Sequence, residues 1–339
     1  MPRAVWFKSP QKVELREEEL LPLGEGDIRV RAIASGISAG TEMLVYRGQV
    51  PPGLPLDLPT LQGSFGFPIK YGYASVGRVM AGPGEGEVVF VHHPHQTEYV
   101  VPASAAIPLV VGRGLVPRQP HRRATMTRPT ADPMAERGVF LANLETAVNV
   151  MLDAAPRIGE KVLIFGQGVV GLLLTQLAVR VGAKVLAVEP HKLRQRLSAQ
   201  LGATVVGPKE VHDADIAIEV SGNPAALDQA IRCVAFGGTV VACSWYGAKP
   251  VNLDLGGAFH RGRVRIVSSQ VSTIDPALTG RWSRERRLDL ARDLLGELQL
   301  EALITHRFPL EAAQQAYDLI DRKPEETVQV VFRYGEDVR

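Results

Sequence analysis

Residues 162–190 read VLIFGQGVVGLLLTQLAVRVGAKVLAVEP. A short apolar run enters three glycines, Gly166, Gly168 and Gly171, spaced G-x-G-x-x-G. Apolar residues then recur at helical spacing, and a second apolar run closes on Glu189. The pattern is strand, tight turn, helix, strand. The first glycine permits the turn, the second lets backbone N–H groups approach a pyrophosphate, and the third lets the helix pack close to the strand. The helix also directs its positive dipole end at the phosphates. The turn therefore predicts a dinucleotide cradle made by Gly166, Gly168, Val169, Val170 and Gly171, with Glu189 accepting hydrogen bonds from ribose hydroxyls. An unrelated α/β turn can share the glycine spacing, but not the whole unit ending in an acid.

That acid bears on the choice of cofactor. A carboxylate at the end of the second strand favours free ribose hydroxyls and repels a 2′-phosphate, so NAD is expected ahead of NADP. His191, Lys192 and Arg194 follow it, and of these Lys192 is the one expected to join the cofactor contacts.

Downstream the rhythm continues as KLRQRLSAQLG, DIAIEV, PAALDQAIRCV and GTVVACSW. Strand–helix alternation of this kind makes a parallel sheet covered on both faces. Ser221, Cys243, Ser244 and Trp245 follow strands whose ends point toward the ligand crevice of such a sheet. Upstream, residues 1–110 show short runs of period two broken by glycine and proline, such as DIRVRAIASG and YASVGRVMAG, which predict antiparallel β-structure. After about Thr273, RERRLDLARDLL and LEAAQQAYDLI read as amphipathic helices and TVQVVFRY as a closing strand. Residues 111–130 hold Arg113, Arg118, Arg122, Arg123 and Arg128 without periodicity, and read as a solvated loop or an anionic contact.

Composition narrows the class. The chain has 339 residues, 45% hydrophobic and 22% charged, a globular balance with room for about two domains. A net charge of +2 gives no concentrated basic face, so no nucleic-acid partner is expected. No apolar run approaches the ~20 residues of a membrane span. Cys233 and Cys243 are the only cysteines, which argues against a disulfide framework and fits a reducing, cytoplasmic setting.

The segments GISAGTEM, KYGYASVGRV, EVVFVHHPHQTEYVVPA, LANLETAVN and GQGVVG, in this order, resemble the medium-chain dehydrogenase/reductase superfamily over nearly the whole chain. SAGTE, FPIKYGYASVG and LGGAFHRGRVRIVSSQ resemble its branch around bacteriochlorophyllide a dehydrogenase. The resemblance implies an α/β fold: a GroES-like β-rich catalytic domain plus a Rossmann doubly wound parallel-sheet domain. The expected divisions are 1–148, 149–272 and 273–339, the last completing the catalytic domain. It also implies a small-molecule carbonyl or alcohol substrate, and a homo-oligomer, in the first instance a dimer.

Many relatives hold a catalytic zinc. At the matched ligand positions this sequence has Ser38, Tyr73 and Ala142, and the usual serine–histidine proton relay becomes Gly40 and Met43. A zinc site needs three protein ligands of N, S or O type. The expectation is therefore a member with no metal and no zinc. Polarising a carbonyl then falls to a hydrogen-bond donor. Tyr73 is the first candidate, with Lys70 three residues away expected to lower its pKa. His93, or its neighbour His95, is the second, and Ser38 a third. His92, His93 and His95 lack the further ligands of a metal set. Glu42 and Glu145 read as structural, Glu145 as an acid at a helix start, and His260 and Arg261 as surface groups. The leading reading is a zinc-independent NAD(H)-dependent oxidoreductase interconverting a secondary alcohol and a ketone. Its rivals are an NAD(P)H-dependent quinone or enoyl reductase and a non-catalytic nucleotide-binding module.

Overall fold

The computed structural model describes residues 1–56, 60, 63–109 and 133–335. The arginine-rich stretch 111–130 lies outside the described residues.

The N-terminal part carries β1 (Arg3–Ser9), β2 (Lys12–Glu17), β3 (Asp27–Ile37), the short helix α1 (Thr41–Tyr46), β4 (Ile69–Lys70), β5 (Ser75–Ala81), β6 (Val88–Val91), β7 (Glu98–Pro102) and β8 (Ala106–Pro108). Their pairings with one another are antiparallel, as the period-two runs predict. Helices α2 (Pro133–Gly138) and α3 (Leu141–Ala154) lead out of this unit.

The second unit runs β9 (Lys161–Phe165), α4 (Val169–Arg180), β10 (Lys184–Val188), α5 (Lys192–Gln200), β11 (Thr204–Val205), β12 (Ala214–Glu219), α6 (Pro224–Cys233), β13 (Val234–Ala242), the single turn α7 (His260–Gly262) and β14 (Arg265–Ser268). Its six strands lie in the order β11-β10-β9-β12-β13-β14, and the pairings are parallel. This is the doubly wound dinucleotide-binding order, in which β9 and β12 flank the point where the winding reverses. Residues Val162–Phe165 are all buried, as a strand covered on both faces requires. Helix α4 is buried from Gly171 to Ala178 on every side, because it is packed against both the sheet and α3.

The chain then forms α8 (Arg284–Leu294), β15 (Ile304–Pro309), α9 (Ala313–Arg322) and β16 (Gln329–Arg333). Strand β16 pairs antiparallel with β3 and returns the chain to the first sheet, whose order is β15-β16-β3-β5-β6-β8 with β7 also on β3. Strand β15, which the apolar pattern did not signal, pairs parallel with β16. The expected division at 148/149 falls inside α3, a continuous helix, and α8 packs on α3 before the chain reaches β15. One apolar core joins the units: Val76 and Phe90 of the first sheet, Leu144 and Val148 of α3, and Ile164 and Leu173 of the second unit belong to it.

The glycine turn shows why this order holds. Gly166 has φ +92°, and a Cβ there would lie 2.7 Å from the Ser221 backbone. A Cβ on Gly171 would lie 2.1 Å from the Gly166 carbonyl oxygen. Gly171→Ala is therefore expected to cost roughly 3 kcal/mol, the upper end of overpacking penalties, read as a lower urea midpoint at unchanged m-value.

Candidate active site

The glycine turn ends at the N-terminus of α4, which has no side-chain cap. Its first N–H groups, on Val169 and Val170, are the unsatisfied donors of a helix start. A Cβ on Gly168 would meet nothing within 4 Å, so the space over these donors is open. Gln167 is fully buried, and its Nε2 has no partner among the described residues. Open space and uncapped N–H groups fit the pyrophosphate of a dinucleotide, while the Gln167 side chain is turned inward to Thr175 and Ser198.

Glu189 is buried at the end of β10. Its Oε2 accepts the Gln167 N–H at 2.8 Å and its Oε1 the His191 N–H at 2.9 Å. The carboxylate thus pins the glycine loop, and each oxygen keeps a lone pair for a ribose hydroxyl. Lys192 is exposed at the start of α5. Arg194 is turned away, donating to the backbone carbonyls of Pro324 and Thr327 at 2.8 and 2.9 Å. The ends of β12 and β13 are knitted together. Ser221 donates to Glu219 at 2.6 Å, and Ser244 Oγ accepts the Gly222 N–H at 2.9 Å. Glu219, fully buried and not foreseen from sequence, also accepts from Tyr246. Burial pushes the Cys243 thiol up to about 12, so it stands as a neutral group.

Across from this sheet edge, rings run from one unit to the other. Tyr73 and Tyr71 have centroids 6.3 Å apart, Tyr71 and Phe65 5.3 Å, and Phe65 and Trp245 6.4 Å. Trp245 is 43% exposed, so the row ends at solvent. Tyr73 and Ser38 come together: the side chains of Ser38 and Thr41 lie beside the Tyr73 phenol and favour its ionised form. Burial is the main cause that pushes this phenol up to about 12, and the Glu42 charge adds to it, against the lowering effect of those two hydroxyls. The expectation that Lys70 would lower it is overturned. Lys70 donates to Glu18 and Gln96, each at 3.0 Å, because the β4 pairing with β1 brings it to Trp6.

His93 is not in this group. It is buried, stacked on Tyr99 at 3.7 Å, and its Nδ1 lies 3.0 Å from the Pro94 carbonyl. Burial holds its pKa down at about 3, so the ring is neutral and ill-suited to act as the proton donor. His95, the other half of that reading, is buried rather than on an exposed loop. Its Nε2 lies 2.9 Å from Glu42 Oε2, which also accepts from Tyr317 at 2.8 Å. Its Nδ1 lies 2.7 Å from Ser35 Oγ, itself 2.7 Å from Tyr334 OH. Glu42 Oε1 accepts the Ser38 N–H at 2.9 Å. The sequence offered no local pattern for this cluster.

Glu145 is also corrected. Helix α3 begins at Leu141, so Glu145 lies inside it and not at its start. Its carboxylate accepts from Arg287 at 2.8 Å, and Arg287, 1% exposed, also donates to Asn149 at 2.6 Å. His260 and Arg261 are exposed on α7. Of the three positions expected to match zinc ligands of relatives, Ala142 has no donor atom, while Ser38 lies beside the Tyr73 phenol.

The chain has clear relatives. Residues 169–288 match a family described as zinc-binding dehydrogenase. That stretch contains the glycine turn's helix but none of Ser38, Tyr73 and Ala142. The 2-desacetyl-2-hydroxyethyl bacteriochlorophyllide A dehydrogenase of Cereibacter sphaeroides is 30% identical over 325 residues, covering 93% of this chain and 92% of the relative. Among solved structures, 2R,3R-butanediol dehydrogenase from Bacillus subtilis superimposes with a TM-score of 0.74 at 18% identity, covering 99% of this chain and 100% of that one. An Escherichia coli alcohol dehydrogenase complexed with NADH gives 0.74 at 17% identity, covering 98% and 99%.

The Arg287–Glu145 pair yields a stability prediction. Glu145→Ala leaves a buried guanidinium without its counter-ion, and is expected to cost about 3 kcal/mol in urea unfolding. Glu145→Leu combined with Arg287→Met is expected to recover most of that loss.

Proposed function

The chain belongs to the medium-chain dehydrogenase/reductase superfamily of NAD(P)-dependent oxidoreductases, and we propose that within it the protein is a zinc-independent, NAD(H)-dependent dehydrogenase interconverting a secondary alcohol and a ketone. The observation that carries this reading is the Tyr73 phenol, which stands beside the Ser38 and Thr41 side chains at the inner end of the row of rings.

When bound, the nicotinamide supplies and accepts the hydride. The chain's own residues have three tasks. The N–H groups at the start of α4 and the open space over Gly168 hold the pyrophosphate. Glu189 holds the ribose and disfavours a 2′-phosphate through its charge, while Arg194, the nearby guanidinium, is engaged with Pro324 and Thr327. Tyr73 donates a hydrogen bond to the reacting oxygen and its proton to the developing alkoxide, and the Ser38 and Thr41 hydroxyls steady the phenolate left behind. The donor set does not suit zinc, since Ser38 and Tyr73 offer only hydroxyls in place of thiolate, imidazole or carboxylate and Ala142 offers no ligand atom. The row of rings from Tyr73 to Trp245 gives the substrate an apolar wall.

Three measurements test this reading. Tyr73→Phe is expected to lower kcat at least about tenfold with the Kd for NADH unchanged; retained turnover removes Tyr73 from the chemistry. Glu189→Gln is expected to weaken NADH binding about tenfold, one charge-assisted hydrogen bond's worth, and to narrow the preference over NADPH. With an enone substrate and NADH the product is expected to be the allylic alcohol, and a saturated ketone instead would point to a C=C reductase. Binding of NADH without hydride transfer to any carbonyl would point to a nucleotide-binding module.

A further inference from the structure

The geometry points to Glu42 as a positioning residue: gripped by His95 and Tyr317, its carboxylate holds the Ser38–Tyr73 pair in place. This rests on the reading of Tyr73 as proton donor and adds the group that keeps it in place.

Glu42 lies in the first turn of α1 and is fully buried. A buried carboxylate is costly unless every oxygen is satisfied. Here three donors meet it: the Ser38 N–H on Oε1, and His95 and Tyr317 on Oε2, at 2.8 to 2.9 Å. The carboxylate accepts, so His95 carries its proton on Nε2. Its Nδ1 then accepts the Ser35 hydroxyl, and Ser35 accepts the Tyr334 hydroxyl. All the donors run toward one negative group.

That group reaches Tyr73 from two sides. Through its Oε1 it fixes the backbone of Ser38, whose hydroxyl lies beside the phenol and accepts the Thr41 N–H at 3.3 Å. Through Oε2 it fixes the His95 ring. Gly72, directly before Tyr73, has φ +128°, and a Cβ there would lie 2.9 Å from that ring's Nε2. The backbone carrying Tyr73 thus rests on an imidazole that Glu42 orients. An apolar side chain of the same volume would fill the space at lower desolvation cost. It would give Ser38 no acceptor and His95 no tautomer.

The test must separate a positioning role from mere support of the fold. Protein labelled with 3-fluorotyrosine gives one fluorine resonance per tyrosine, and Tyr73→Phe identifies the one that matters. In Glu42→Gln that resonance is expected to move, because the Ser38 N–H loses its charged acceptor and the ring against Gly72 loses its anchor. The other titratable groups around the site, Tyr71, Tyr317, Tyr334, His92, His95 and Glu145, are present in both proteins. An unchanged resonance overturns the inference. In turnover, Glu42→Gln is expected to lower kcat about tenfold with KM for NADH unchanged, and to add no further loss on Tyr73→Phe. Additive losses also overturn it. If Glu42→Gln does not fold, His95→Gln keeps a donor for Glu42 but removes the ring against Gly72. Its Tyr73 resonance is expected to shift or broaden, and an unaltered one overturns the inference. Should the wild type transfer hydride to no carbonyl, the proposed function fails, while the fluorine spectra still decide the role of Glu42.

Discussion

A carbonyl oxygen, that of Gly166, lies 2.1 Å from the point where a side chain on residue 171 would begin. Much of the nucleotide-binding half follows from that contact. Because residue 171 carries no side chain, α4 sits directly against the end of β9, and its first N–H groups come to the mouth of the turn. Because Gly166 takes a positive φ, the chain leaves β9 sharply enough to pass the Ser221 backbone. Glu189 then locks the loop by accepting the Gln167 N–H, which ties the second strand to the turn made by the first. The same three features position the helix dipole, the open cradle and the acid proposed to meet the ribose.

This half was legible in the sequence because its determinants are local. Three glycines and an acid lie within one strand–helix–strand unit, and each has a backbone reason to be there. The antiparallel half was legible as texture, since period-two runs record the pleat. Its site was not. Glu42 and His95 are 53 residues apart, and Glu42 and Tyr317 are 275 apart. Each alone reads as an ordinary polar residue near a helix or loop. Lys70 shows the converse error. Nearness in sequence suggested an effect on Tyr73, yet the short pairing of β4 with β1 delivers its amine to Glu18. Glu145 was misread because the boundary of α3 was placed too late, which turned the partner of a buried guanidinium into a helix-start acid.

The two halves meet through α3 and the row of rings. Helix α3 belongs to a core that contains residues of both sheets, so its position fixes one unit against the other. Arg287 reinforces the arrangement by binding Glu145 and Asn149 on α3 and the Thr273 carbonyl in the stretch after β14. Trp245, at the end of β13, reaches Phe65 of the first unit. The groups proposed to hold the cofactor and those proposed to face its reacting end are thereby carried on one packed frame, as catalysis by orientation requires.

The sign of the local charge distinguishes the proposed chemistry from that of metal-bearing relatives. A zinc ion stabilises an alkoxide directly and lowers the pKa of a bound oxygen. Around Tyr73 the nearby formal charge is Glu42, which is negative and raises the phenol. A raised phenol is a poor base but holds its proton until a strongly basic oxygen forms beside it. An alkoxide made by hydride addition is such an oxygen, so the proton moves only as the hydride arrives. The buried carboxylate therefore gives up electrostatic pull on the substrate and gains a donor that is protonated and fixed in place at neutral pH. On this account Ser38 and Tyr73 are not vacant ligand positions but parts of a replacement that works by hydrogen bonding, and Glu42 is what lets two neutral hydroxyls stand where a cation stood.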